Sequence, residues 1–152
     1  MSDLYAAVRR LLEAPDVAAL FATLLDVALT LSRAPGGFAA RVDRERDRLD
    51  VDAERGTGQT RPLPLDWPPA VRALTLGGLR DEALPQDERA RWDVVATHLV
   101  VVAIGPAGAP LGLLCLACDA ATPRAAAFAE TLGQLTDAAS HARQRSPSLS
   151  LI

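Results

Sequence analysis

Apolar residues recur at two different periods along this chain, and the changes of period divide it into elements. Leu4, Val8, Leu11 and Leu12 stand at helical spacing, so residues 3–14 are expected to form a first amphipathic helix. Pro15 ends it, and Asp16 is placed to cap a second helix. In that second segment Val17, Leu20, Phe21, Leu24, Ala28 and Leu31 mark one face. Leu25 and Leu29 widen the apolar arc beyond the roughly 100° that a surface helix needs. A helix this apolar is expected to be sandwiched within the fold or to carry a partner surface.

After Ala34-Pro35-Gly36-Gly37 the period becomes two. Phe38, Ala40 and Val42 alternate with other residues, as do Leu49, Val51 and Ala53 with Asp50, Asp52 and Glu54. The charged stretch Asp43 to Arg48 lies between them, with signs that alternate. It is expected to form a solvated edge hairpin, one face in the core and one in water, guarded by its charges.

Residues 56–92 are irregular in pattern, with Pro62, Pro64, Pro68 and Pro69 at the start and Gly77-Gly78 in the middle. Pro69 to Leu76 is expected to form a short helix, with proline near its first position, and Asp87 to Ala96 another. Leu99 to Ile104 and Leu111 to Cys118 are continuously apolar, so both faces of these strands must be covered at the sheet's centre. From Pro123 a last helix runs to about Arg145. Its Phe128, Leu132, Leu135, Ala139 and Ala142 are spaced four, three, four and three, a short heptad seam. The expected organisation is one domain over 1–145 with a frayed tail over 146–152. The fold class is α+β: a central antiparallel sheet with the first, second and last helices on one face and residues 56–98 covering the other.

Composition narrows the chemistry. The 152 residues are 49% apolar and only 4% aromatic, which is ordinary globular usage with a core of Leu, Val and Ala. All 16 basic residues are Arg; Lys and Asn are missing from the sequence. A P-loop, a lysine nucleophile and an N-glycosylation site are therefore excluded. The net charge of -3 without a clustered basic face argues against nucleic acid. No signal peptide is read at Met1-Ser2-Asp3-Leu4, and no apolar run approaches the ~20 residues that span a bilayer. A bacterial-type, cytoplasmic protein without a membrane role is expected.

Cys115 and Cys118 form a C-x-x-C, but on a strand residues three apart point to opposite faces. They are expected to be inert core cysteines. A zinc site joining them to His98 and His141 has the ligand count but lacks the close histidine spacing, so no metal is expected. Serine-based catalysis has no support: no G-x-S-x-G elbow is present, and Ser32 and Ser140 have no evident base.

Val101-Val102-Ala103-Ile104, then Gly108 and Pro110-Leu111-Gly112-Leu113-Leu114-Cys115-Leu116, are similar to the paired late strands of GAF domains. Leu63-Pro64 through Ala70-Val71-Arg72-Ala73-Leu74 resembles that family's variable middle, and Phe128 to Ala142 its closing helix. The resemblance spans nearly the whole chain as a pattern of apolar runs and turns, and it implies a sensory or regulatory domain. Departures are informative. The Asn-Lys-Phe-Asp-Glu motif of cyclic-nucleotide binders, and the Asp-Ile-Pro motif and Cys-His pair of bilin binders, do not occur here. The family's free methionine sulfoxide reductase relies on several cysteines around its pocket; this chain has two, both late. A non-enzymatic role is expected, with no cofactor identified.

A small-molecule site is expected between the 56–98 cover and the central strands. Trp67, Trp92 and His98 surround that segment and are expected to converge on one cavity, with Arg72 meeting an anionic group. The competing reading makes the two Trp core plugs, His98 a satisfied strand-entry residue and Arg72 a solvated one. Expected partners are a small molecule, a second copy of the chain through the terminal helices, and a signalling protein, since the chain leaves no room for an output domain. The alternative is a ligand-free interaction module.

Overall fold

Asp16 accepts a hydrogen bond from the Ala19 amide at 2.7 Å and so starts the main helix, α1 (Val17–Ser32). Arg33 in the left-handed conformation ends it, its amide returning to the Leu29 carbonyl. The computed structural model of the chain describes residues 6, 9–14, 16–76, 79–83, 96–105 and 110–118. The strands are β1 (Gly36–Asp43), β2 (Arg48–Arg55), β3 (Leu63–Pro64), β4 (Leu79–Ala83), β5 (His98–Ile104) and β6 (Gly112–Cys118). A second helix, α2 (Pro68–Leu76), stands between β3 and β4, with proline at its first position. Residues 9–12 are helical, in line with the first expected helix. The expected helix over 87–96, the turn over 106–109, the helix over 123–145 with its seam and His141, and the tail over 146–152 lie wholly or almost wholly outside the described residues.

The strands form one antiparallel sheet in the order β3-β2-β1-β6-β5-β4. Even-numbered residues of β5 and β6 face α1; there Val100, Val102, Ile104, Leu114 and Leu116 pack with Leu20, Phe21, Leu24 and Leu25. Odd-numbered residues face α2, where Leu99, Val101, Leu113 and Ala117 pack with Phe38, Trp67, Ala70 and Ala73. Every residue of β6 is buried, as its unbroken apolar run requires. The architecture is α+β, with a helix on each face of the sheet.

Three expectations need correction. The charged hairpin is not at the edge, because β1 pairs with both β2 and β6. Small residues permit this: a Cβ on Gly112 would strike the Ala40 carbonyl oxygen and lie 2.7 Å from the Phe21 ring. Residues 56–98 are not solely a cover, since β3 and β4 inside that span hold the two sheet edges. Finally, Leu25 is not spare apolar surface. It is fully buried within the single chain, and its side chain lies beside Gly37 on β1. Leu29, the other residue that widens the arc of α1, is half-buried against the same core.

Candidate functional site

On the α2 side, the Trp67 amide bonds the Pro64 carbonyl at 3.1 Å, and Trp67 itself precedes α2 directly. Its ring lies 6.1 Å from that of Phe38, tilted by 39°. Trp67 is 8% exposed and belongs to the core of that face. Arg72 stands on the outer side of α2 and is exposed, whereas Ala70 and Ala73 face the sheet. His98 opens β5 opposite Cys118 and shares the α1-side parity of Val100 and Val102. Its Nδ1 and the Thr97 hydroxyl are 3.1 Å apart. Trp67 and His98 thus lie on opposite faces of the sheet, and the structure does not bring them together. Trp92 lies outside the described residues.

On the α1 side, the far end of the β1–β2 hairpin carries a cleft of about 560 Å³ that the sequence reading did not single out. Val17 and Phe21 of α1, with Pro110 and Leu111 before β6, supply its apolar lining. Arg41 and Asp43 of β1, Asp50 of β2 and the turn residues Arg44, Glu45 and Arg46 supply the charged lining. A β-bulge lies next to the cleft along β2. Ala39 pairs with Ala53 and Ala40 with Val51, so Asp52 is an extra residue on β2. The bulge turns Asp52 to the Arg41 side of the sheet, with Nε of Arg41 2.8 Å from its Oδ2. Arg48 Nε lies 2.8 Å from Asp50 Oδ1, and Arg46 Nε 3.9 Å from Asp43 Oδ2.

Arg41 Nε, Arg48 Nε and Asp52 Oδ2 are all buried, each against an opposite charge. The Asp52 side chain is 8% exposed. Burial pushes its carboxyl above the ordinary value; Arg41 opposes this through charge and hydrogen bonding, and Asp50 and Asp16 add to it. The signal for this ladder was present in the alternation of Arg48, Asp50 and the intervening apolar residues. The bulge that brings in Asp52 left no mark in that pattern.

Cys115 faces the α2-side core and Cys118 the α1-side core; both are fully buried. Among the described residues no group of His, Cys, Asp and Glu is arranged to hold a metal, and no helix is long and apolar enough to cross a membrane.

No protein-family model and no curated protein matches the sequence. Solved structures do match. The GAF domain of the phosphoenolpyruvate-protein phosphotransferase from Acinetobacter superposes with a TM-score of 0.76 at 10% identity, over 95% of this chain and 92% of that one. The free methionine-R-sulfoxide reductase of Neisseria meningitidis, in complex with its substrate, gives 0.77 at 18% identity, over 94% and 89%. The GAF domain of a sensor histidine kinase from Pseudomonas syringae pv. tomato gives 0.66 at 17%, over 94% and 84%. At such identities the likeness establishes the fold, which is GAF-like.

Proposed function

We propose that this chain, with its GAF-like fold as the premise, is a regulatory domain that binds a small molecule and catalyses no reaction on it. The observation that carries the reading is the placement of its only two thiols. Both are fully buried, on opposite faces of β6. The thiol reductase that shares the fold is a poor guide to this chain, because neither sulfur is presented to a ligand or to the other. Recognition without turnover is the use of the fold that needs no exposed nucleophile, and domains of this fold occur in a sensor histidine kinase and a methyl-accepting chemotaxis protein.

The test is a thermal-shift screen with free amino acids, nucleotides, sugar phosphates and carboxylic acids. A ligand bound only by the native state at roughly a hundred times its Kd adds about 2.7 kcal/mol of stability, an unmistakable rise in Tm. At least one class is expected to produce it. A flat response to every class overturns the reading in favour of a ligand-free interaction module.

The reading includes self-association through residues 123–145, carried by the seam of Phe128, Leu132, Leu135, Ala139 and Ala142. Light scattering at micromolar concentration is expected to give twice the 16.1 kDa chain mass. A mass of one chain, unchanged on concentration, removes that part.

A further inference from the structure

We draw no further inference here: the strongest candidate, the charged cleft beside the β1–β2 turn, carries nothing, because Arg41, Asp43 and Asp50 are already ion-paired within the chain, Val17 and Phe21 beneath them are buried, and nothing in the structure shows what would occupy it.

Discussion

Cys115 and Cys118, three residues apart on β6, point into the two different cores on either side of the sheet. Strand alternation dictates this, and the register of Cys115 against Phe38 and of Cys118 against His98 fixes it. The native protein is therefore expected to show no fast-reacting thiol, because a buried thiol in apolar surroundings is inert. Two thiols should titrate with an aromatic disulfide reagent only after denaturation. Rapid reaction of either sulfur in the folded state would contradict the placement.

Gly112 allows β6 to lie against β1 and the Phe21 ring. A Cβ there meets the Ala40 carbonyl oxygen and lies 2.7 Å from Phe21. Gly112→Ala is expected to destabilise by about 1–3 kcal/mol, as overpacking does, read from the urea midpoint. An unchanged midpoint would mean that the two strands are further apart than described.

Phe38 is fully buried and abuts Trp67 at the point where α2 joins the sheet. Phe38→Ala is expected to cost about 3–5 kcal/mol through lost burial and the cavity left behind. A loss below about 1 kcal/mol, within the scatter of ordinary substitutions, would show that Trp67 packs elsewhere.

These elements differ in how far the sequence announces them. The unbroken runs of β5 and β6 read directly as doubly covered strands, and the proline pair before Ala70 marks the start of α2. The edge strand β4 is Leu-Arg-Asp-Glu-Ala and carries no apolar period, because an edge needs none, so it reads as irregular. Leu49, Val51 and Ala53 alternate as though they share a face. The extra residue Asp52 sends Ala53 to the α1 side, and that bulge is set by pairing with β1 rather than by the apolar pattern. His98 was legible in principle: counting back one residue from Leu99 puts it on the face away from Trp67. The cleft was not, because its charges read as a solvated hairpin until Phe21 and Leu111 are placed beside them.

Asp52 makes the stability of the fold depend on pH in a defined sense. Its carboxyl is raised above the ordinary value, first by burial. The folded state then holds the proton more tightly than the unfolded chain, and this group's contribution to stability falls as pH rises through the interval between the two values. The difference in stability between Asp52→Asn and the wild type is therefore expected to shift in favour of the variant as pH rises from about 4 toward neutrality. Urea unfolding of both proteins across that range checks it. A difference that is flat with pH, or that shifts toward the wild type, would contradict the raised value.

The proposal that this chain recognises rather than transforms a ligand is tested most directly by incubating the reduced protein with free methionine-R-sulfoxide and excess dithiol, and following methionine by proton NMR. With Cys115 and Cys118 buried on opposite faces of β6, the account predicts no methionine above the protein-free control, even at equimolar protein. Formation of methionine that is lost in Cys115→Ser or Cys118→Ser would contradict it.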